Sequence, residues 1–409
     1  MSTAWRARQG PDRVRTMPVL ADASAIEALA ARAHEHGRLA IDTEFMGEGR
    51  YRTLLCLVQV AVPRPDGDLD DVTIEVIDPL DDSLDSSPLA AALADPAVEV
   101  VMHAARQDVA LLRRTWETEI TALFDTQLAA GFAGLRAQMG YEPMLAEVLG
   151  IRLGKSASFT RWDARPLSDE QVEYARDDVR HLLRLAQSLQ ERLEERGRLE
   201  WAREECRALE RVSDVREPDT VFARLPRVSG LDPRARAVAR ELVGWREEAA
   251  RSADRPIASV LNDAALVEVA KRKPRDTEAL RQIRGMNEGT LRRRGKAVLE
   301  AVERGRGRPP LLHEGERQPP PDHQDAPVVA LCEALVRARA MEADLAYELI
   351  AARADLQHVV TAVRTGTGEP GVRTLEGWRR QLVGEELLAL LRGDRALRVD
   401  GAHRIVVDG

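Results

Sequence analysis

The sequence has few cysteines, few lysines and no long apolar run, and each shortage argues against a class of protein. Cys56, Cys206 and Cys332 stand far apart and form no Cys-x-x-Cys pair, so neither a disulfide framework nor a zinc site is supported. No segment approaches the roughly 18 consecutive apolar residues of a membrane-spanning helix. Residues 1–22 carry arginines but lack the apolar core of a secretory signal, which predicts a disordered leader. Together these absences predict a cytoplasmic protein that does not contact a membrane.

Lysine supplies only four of the 60 basic residues, so the abundance of arginine does not by itself indicate a nucleic-acid partner. The distribution of charge along the chain is more informative. Residues 224–308 hold 21 Lys and Arg against 12 Asp and Glu, a net charge of +9. The rest of the chain holds 39 against 56, a net charge of −17. A basic segment inside an acidic chain predicts a module that faces phosphates beside a part that binds cations.

The first half of the chain has the pattern of an α/β domain. An apolar run at Leu39, followed by runs at 53–62 and 73–77 with no helix between them, predicts three antiparallel strands. From Leu89 onward, helical segments alternate with short strands, as in parallel βαβ units. We therefore predict a mixed five-stranded sheet with helices, within a domain at residues 23–212.

An acidic pair follows the apolar part of the first predicted strand. Leu39 to Phe45 reads Leu-Ala-Ile-Asp-Thr-Glu-Phe, and side chains two apart on a strand share a face, so Asp42 and Glu44 lie side by side. Such carboxylates repel each other unless a cation lies between them, and Mg²⁺ or Mn²⁺ prefers oxygen ligands. An isolated Asp-x-Glu pair is more often a solvated strand end. The metal hypothesis therefore depends on further acidic residues.

Two more acidic residues complete a candidate set. Asp108 lies in the first turn of a predicted helix, where the helix dipole alone would also favour a carboxylate. Tyr174 and Asp178 are four apart within a long helix predicted from Ser168 to Gly197, so they share one face, whereas Asp177 points elsewhere. The order Asp-x-Glu, Asp, Tyr-x-x-x-Asp favours a shared metal site over unrelated surface carboxylates.

This ordered set resembles the three exonuclease motifs of the DEDD superfamily, in its tyrosine-bearing branch, and a longer string of segments resembles the ribonuclease D family. The string covers about residues 25–200 and comprises Asp42-Thr43-Glu44-Phe45, Leu57-Val58-Gln59-Val60, His103-Ala104, Phe124-Asp125-Thr126-Gln127, Lys155-Ser156, Trp162, Ala164-Arg165-Pro166-Leu167-Ser168 and Glu173-Tyr174-Ala175. The resemblance implies a ribonuclease H-like fold. It also implies a 3′–5′ exoribonuclease that releases nucleoside 5′-monophosphates from single-stranded RNA 3′ ends, with tRNA precursors as expected substrates.

The resemblance further implies which residues carry the reaction. Two divalent ions, Mg²⁺ or Mn²⁺, would be held about 4 Å apart and would act on the phosphodiester. Asp42 would hold both ions, Glu44 and Asp178 would complete the water-activating site, and Asp108 would complete the leaving-group site. Tyr174 would position the attacking water.

Two further residues are candidates for contacts with nucleic acid. Phe45 directly follows the acidic pair and is able to stack on the terminal base, although core packing is the alternative. Lys155 lies in a Gly-Lys-Ser segment and is able to contact a phosphate. The glycine-rich stretch of a nucleoside-triphosphate loop is missing upstream of Lys155, which argues against that use.

The second half of the chain predicts two helical domains joined by a linker. The segment Ile283-Arg284-Gly285-Met286, followed by Leu291-Arg292-Arg293-Arg294-Gly295-Lys296, resembles the helicase-and-ribonuclease-D C-terminal (HRDC) domain and predicts such a domain at residues 224–305. The resemblance implies contacts with nucleic-acid backbones, and a solvated basic helix is the alternative. The residues expected to make those contacts are Arg292, Arg293, Arg294 and Lys296. Residues 306–327 are rich in proline and predict an extended linker. Residues 328–409 predict a second, diverged HRDC-like domain.

Three functions stay open on the residues alone. An exoribonuclease is favoured because all four carboxylates and the tyrosine are present. A DNA 3′–5′ exonuclease would use the same chemistry, because the ions act on the phosphate, and a non-catalytic RNA-binding scaffold could keep the fold. We expect a monomer. We also expect the exonuclease part to fold without the helical domains, because its motifs end near Gly197.

Overall fold

The computed structural model describes residues 20–65, 68–154, 161–312 and 322–408. Residues 1–19 of the predicted leader, Lys155 with Ser156, and residues 313–321 of the predicted linker lie outside these ranges. Ala21 is buried, and its amide donates to the carbonyl of Val76 at 2.9 Å, so the fold begins just before the predicted boundary. Across the described ranges, every helix is too short or too polar to cross a membrane.

A five-stranded sheet forms the centre of the first half of the chain. Its strands are β1 (Arg38–Met46), β2 (Leu54–Pro63), β3 (Val72–Ile77), β4 (Glu99–Met102) and β5 (Leu123–Asp125). Their order is β3-β2-β1-β4-β5, with β1, β2 and β3 paired antiparallel and β1, β4 and β5 paired parallel. The predicted mixed five-stranded sheet is confirmed. Because β1 is the central strand, carboxylates on it lie in the middle of the sheet.

Helices cover both faces of this sheet. They are α1 (Ala23–His36), α2 (Ser87–Ala94), α3 (Arg106–Thr115), α4 (Thr126–Phe132), α5 (Tyr141–Val148), α6 (Asp169–Arg180), α7 (Leu182–Glu195) and α8 (Leu199–Glu210). Side chains fix several of their starts: Asp22 and Asp125 accept backbone N–H groups, and Ser168 forms a reciprocal capping box with Gln171. These caps set where α3, α4 and α6 meet the sheet edge, because Asp125 also binds the turn before α3.

The single long helix predicted from Ser168 to Gly197 is wrong. The structure has two helices, α6 and α7, separated at His181, whose backbone leaves helical geometry at φ −110° and ψ 6°. The first helix packs over β1, β2 and β3, whereas the second packs against β1, β4 and α4. One straight helix could not follow both surfaces of a twisted sheet. The apolar periodicity continues across the break at Val179 and Leu182, so the break cannot be seen in the sequence pattern.

A central helical module follows the sheet domain and has its own core. Its helices are α9 (Pro218–Ala223), α10 (Pro233–Ser252), α11 (Ile257–Val260), α12 (Asp263–Arg272), α13 (Thr277–Arg281) and α14 (Glu288–Gly307). The core includes Val238, Leu242, Leu266 and Val298, all fully buried. The four residues belong to α10, α12 and α14, so the module is held together without side chains from the sheet domain.

The C-terminal module does not have a separate core. Its helices are α15 (Asp325–Glu342), α16 (Tyr347–Ile350), α17 (Arg353–Thr365), α18 (Gly377–Arg379) and α19 (Glu385–Arg392), and a hairpin of β6 (Ala396–Val399) and β7 (Ile405–Asp408) follows. One continuous apolar cluster joins these helices to α4, α7 and α8 of the sheet domain. Trp378 is 1% exposed and contacts Phe132 edge-on at 5.1 Å and Trp201 face-on at 5.2 Å. The expectation that the exonuclease part ends in a self-contained core near Gly197 is therefore wrong.

Candidate active site and nucleic-acid surface

Four carboxylates from three different elements gather over β1. Asp42 and Glu44 extend from β1 itself, Asp108 lies in the first turn of α3, and Asp178 lies on α6. Asp108 is buried, and the other three are half-buried. Each of the other three carboxylates acts electrostatically on Asp42. The structure thus brings together all four acidic residues that the sequence predicted.

Burial and mutual repulsion make the ionised form of these carboxyl groups unfavourable. Burial, then the neighbouring carboxylates, raise the pKa of Asp42 well above its usual range. Burial followed by repulsion from Asp178 and Asp108 raises the pKa of Glu44 to about 8. Burial raises the pKa of Asp108 to about 6, and burial with Asp177 raises the pKa of Asp178 to about 7. A cluster of this kind favours a bound cation, because a cation relieves the repulsion between the ionised groups.

Two neutral side chains hold the carboxylates in place, and the sequence did not single them out. The Nε2 of Gln59 donates to Oδ2 of Asp42 at 2.7 Å, across the β1–β2 ladder. The hydroxyl of Thr43 donates to Oδ1 of Asp108. Gln59 is fully buried and Thr43 is 5% exposed. A polar residue inside the apolar run Leu57-Val58-Gln59-Val60 was the available signal, since buried polar groups need a partner.

Tyr174 and Asp178 act as the pair that helical spacing predicted. The Tyr174 hydroxyl is hydrogen-bonded to the Asp178 carboxylate, one helical turn away. Burial first, and then nearby carboxylates, raise the pKa of Tyr174, so its hydroxyl keeps its proton at neutral pH. Asp177 points elsewhere and accepts from Nε of Arg180 at 2.8 Å.

Asp125 positions the turn that carries Asp108. Its carboxylate accepts the backbone N–H groups of Ala104 at 3.2 Å and Ala105 at 2.9 Å, and it also caps α4. Ala104 has a left-handed backbone with φ 59°, which the two bonds stabilise. The neighbouring His103 ring bonds the Thr126 hydroxyl at 2.9 Å, so it supports the turn from behind. Asp125 therefore caps α4 and also fixes the turn that carries Asp108.

The carboxylates do not form a ready-made metal cage. Over the described residues, no three Asp, Glu, His or Cys side chains come together closely enough to bind a metal ion by themselves. Gln59, Thr43 and Tyr174 hold three of the carboxylates as hydrogen-bond acceptors instead. This suits Mg²⁺, which keeps several waters and is usually bound through one or two carboxylates and substrate phosphates. The donor set therefore fits ions whose coordination the substrate completes.

The predicted nucleic-acid contacts have mixed outcomes. Phe45 is half-buried and packs against the sheet core, and Lys155 lies outside the described residues. Lys296 is exposed, with its ammonium 3.9 Å from Glu300. Arg292 and Arg293 are exposed and form no ion pair with any residue in the described ranges. Of the predicted set, these two arginines are the cations best placed to meet a phosphate.

Arg255, which was not predicted from the sequence to contact nucleic acid, extends the basic surface formed by Arg292, Arg293 and Arg294. Burial, followed by repulsion from Arg293 and Arg255, lowers the pKa of Arg294, so the three guanidinium groups lie close together. Arg294 donates to the carbonyl of Ser259, while Arg255 is exposed. Elsewhere in the module, arginines such as Arg272 are neutralised by carboxylates. Arg255, Arg293 and Arg294 therefore form a local cluster of positive charge.

Comparisons with known proteins agree with this architecture. A family described as 3′-5′ exonuclease matches residues 18–194, and the HRDC domain family matches residues 235–302. Ribonuclease D of Gluconacetobacter diazotrophicus is 38% identical over 372 residues, covering 89% of this chain and 90% of the relative. Ribonuclease D of Granulibacter bethesdensis is 35% identical over 405 residues, covering 97% and 98%. The crystal structure of Escherichia coli RNase D has a TM-score of 0.78 at 27% identity, covering 92% of this chain and 99% of that one.

The fold, the acidic cluster and these matches define the class as 3′–5′ exonucleases that carry an HRDC domain and use divalent metal ions. The chain belongs to the ribonuclease D family, and it is an exoribonuclease. The resemblance stated from sequence is therefore confirmed for the family, the fold and the activity. The roles of individual residues and the predicted domain boundaries stay predictions.

Proposed function

We propose that this exoribonuclease removes nucleotides one at a time from single-stranded 3′ ends of structured RNA, with the aid of two Mg²⁺ or Mn²⁺ ions. The convergence of Asp42, Glu44, Asp108 and Asp178 over the central strand carries the proposal. The substrate class is supported by the E. coli relative, which is described as an exoribonuclease involved in structured RNA processing. Precursors of tRNA are the natural candidates, because their 3′ ends extend beyond a folded body.

Each carboxylate has a distinct place in the proposed reaction. Asp42 would hold both ions, Glu44 and Asp178 would complete the site beside the attacking water, and Asp108 would complete the site beside the leaving 3′ oxygen. Bound divalent ions would supply a nucleophile at neutral pH and stabilise the charge on the phosphate. Gln59 and Thr43 keep Asp42 and Asp108 in fixed orientations through their hydrogen bonds. Fixed orientation matters because a positioned group avoids reorganisation during the reaction.

Tyr174 is proposed to orient the attacking water. Its hydroxyl stays protonated and is already hydrogen-bonded to Asp178, so it is able to bond a water beside that carboxylate. Changing Tyr174→Phe removes only the hydroxyl. We expect kcat to fall on the order of 10²-fold, at the low end for a proton-transfer or orienting group. Retained affinity for Mn²⁺ would support the orienting role, and lost affinity would show that Tyr174 instead supports the metal site.

The test of the whole proposal is hydrolysis of labelled single-stranded RNA and DNA, resolved by length, with Mg²⁺, Mn²⁺ or chelator. We expect stepwise shortening of RNA from the 3′ end and none with chelator. Asp42→Asn should abolish hydrolysis while leaving the fold and RNA binding intact, because a bridging ligand is lost. Asp177→Asn is the matched control and should keep most activity, since Asp177 bonds Arg180 instead. Near wild-type turnover by Asp42→Asn would contradict the proposal, and faster hydrolysis of DNA than of RNA would favour the DNA exonuclease.

A further inference from the structure

A cavity of about 440 Å³ lies between the sheet domain and the central module. This seam cavity is lined from both sides: by Tyr51 and Arg52 on the β1–β2 turn, by Asp214 after α8, and by Arg224 and Arg246 of the central module. The volume lies in the range of small-molecule binding sites. The carboxylate cluster described above does not contribute to its walls.

The cavity has two cations to offer a ligand. Arg246 is paired with Asp263 at 2.6 Å, and Asp214 is paired with Arg114 at 2.7 Å. Arg52 and Arg224 are exposed and form no ion pair with any residue that the structure describes. The inner charges are already balanced, and the exposed lining carboxylate of Glu217 forms no ion pair with any described residue. The two guanidinium groups outnumber this carboxylate, so the entrance has a net positive charge. An anionic group such as a phosphate would be attracted to it.

Two residues of the cavity wall, Arg246 and Asp214, each have a buried hydrogen-bonding atom without a partner. The Nε of Arg246 and the Oδ1 of Asp214 are both buried without a hydrogen-bond partner, and Arg246 as a whole is 1% exposed. A buried donor or acceptor without a partner is costly, so such atoms are normally satisfied by a ligand or an ordered water. Arg246 and Asp214 both belong to the residues that line the cavity. Both edges of a nucleobase carry donors and acceptors of this kind.

The rest of the lining suits a flat ring. Tyr51 provides an aromatic side chain, and Leu225 and Ile257 provide apolar surface. Unpaired bases are commonly held by aromatic and apolar side chains together with a few hydrogen bonds. The cavity has a positive entrance for a phosphate and an apolar, partly polar interior for a base. This combination suits a nucleotide better than a simple anion or an apolar ligand.

Two elements, α3 and β1, connect the cavity wall to the carboxylate cluster. Arg114, which holds Asp214 in the cavity wall, is six residues along α3 from Asp108, a rise of about 9 Å. Tyr51 lies on the turn that leaves β1 beyond Glu44. On the other side, Asp254 accepts the Tyr51 amide at 3.1 Å and precedes Arg255 of the arginine cluster. The seam cavity is therefore flanked by the active site and the basic surface.

We propose that the seam cavity binds one nucleotide of the RNA strand upstream of the scissile bond. The base would bond Arg246 and Asp214, and the phosphate would bond Arg52 and Arg224. This proposal rests on the proposed exonuclease function, because an enzyme that shortens a strand from its 3′ end must hold the upstream part elsewhere. A free nucleoside monophosphate has the same chemistry, so the test includes both sources.

The test is binding of RNA to the full chain in an Asp42→Asn background, which separates binding from hydrolysis. Oligonucleotides of increasing length and adenosine 5′-monophosphate serve as probes. The double variant Arg52→Ala with Arg224→Ala should weaken binding of longer RNA about tenfold, as expected for loss of charge-assisted hydrogen bonds. Its binding of a dinucleotide should not change. The control is Arg275→Ala, an exposed arginine outside the cavity.

Weaker binding of longer RNA alone would assign the cavity to the substrate strand, and additional loss of monophosphate binding would show that it also takes free nucleotides. If the double variant matches Arg275→Ala with every probe, the proposal is wrong. Failure of the proposed function would look different. In that case the chain with Asp42 would not hydrolyse even a dinucleotide, while the binding comparison would still report on the cavity.

Discussion

The two helical modules are attached to the same sheet domain in opposite ways. The C-terminal module shares an apolar core with α4, α7 and α8, centred on Trp378. The central module has a core of its own and meets the sheet domain through polar contacts. In that seam, buried Glu247 accepts the Tyr51 hydroxyl at 2.9 Å and Nε of Arg216 at 3.0 Å, and Arg50 pairs with Asp254 at 3.0 Å.

This difference indicates that the C-terminal module contributes to stability and the central module to RNA binding. Burial of large aromatic side chains contributes several kcal/mol, whereas a hydrogen bond or exposed ion pair contributes about 1 kcal/mol or less. The C-terminal module is therefore an integral part of the catalytic body. The central module is joined more weakly, and it carries the arginines that remain available for phosphate. Variants on the two sides of this comparison should differ in kind, stability on one side and RNA binding on the other.

The largest effect should come from removing the C-terminal module. A chain ending at residue 312 would expose Phe132, Trp201 and the apolar face of α7. We expect it to aggregate or to lose its sharp unfolding transition, as judged by light scattering and circular dichroism. Residues 216–312 produced alone should stay helical and unfold cooperatively, because their core is complete. A soluble, active 1–312 chain would contradict the conclusion that the C-terminal module is integral to the sheet domain.

Trp378→Ala should give the largest effect of a single substitution. It removes a fully buried ring between two aromatic partners, and the free energy of unfolding should fall by about 3–5 kcal/mol. Denaturant titration measures this. Met341→Ala, in the same module but 83% exposed, should stay within about 0.5 kcal/mol of the wild type. Equal losses for both variants would mean that Trp378 is not central to the shared core.

Glu205 makes the shared core sensitive to acid. Burial would raise the pKa of Glu205, but hydrogen bonds from Arg379 and Trp378 outweigh burial and hold it below its usual value. The folded-state pKa is lower than the unfolded one, so this stabilisation is present above the unfolded value of 4.5 and is lost as the pH falls through the folded value. At neutral pH, Glu205→Gln should lower the free energy of unfolding by about 1–3 kcal/mol. Stability curves of the two proteins should converge on acidification, and a constant gap would exclude this linkage.

Tyr51→Phe tests the polar seam and should have a small effect on stability. The substitution removes the hydroxyl that bonds Glu247, while Arg216 continues to satisfy that carboxylate. We expect a loss of about 0.5–1.5 kcal/mol, measured by the same denaturant titration. A loss as large as that of Trp378→Ala would show that the seam is as integral as the shared core.

Alanine at Arg255, Arg292 and Arg293 should leave stability almost unchanged, because all three are exposed. If they meet RNA phosphates, the logarithm of the binding constant should depend less steeply on salt, by about 0.7 per lost phosphate contact on single strands. Arg272→Ala is the control, since its guanidinium is already paired with Glu268. An unchanged salt slope in the triple variant would show that these three arginines form a solvated basic face that does not bind RNA.

The strands, most helices and the acidic set could be predicted from the sequence alone. These depend on local periods, two residues along a strand for Asp42 and Glu44 and four along a helix for Tyr174 and Asp178. Helix caps such as Asp125 are equally local. Family resemblance then gave the fold and the activity, because the motifs appear in order along the chain.

Contacts between distant segments became visible only in the folded structure. Gln59 and Thr43 became part of the site because β2 and α3 pack against β1, and the break at His181 follows the twist of the sheet. Trp378 lies between Phe132 and Trp201, which are far from it in sequence. Packing of this kind depends on the complementarity of surfaces from remote parts of the chain. The local periods of strands and helices do not specify which of these surfaces pack together.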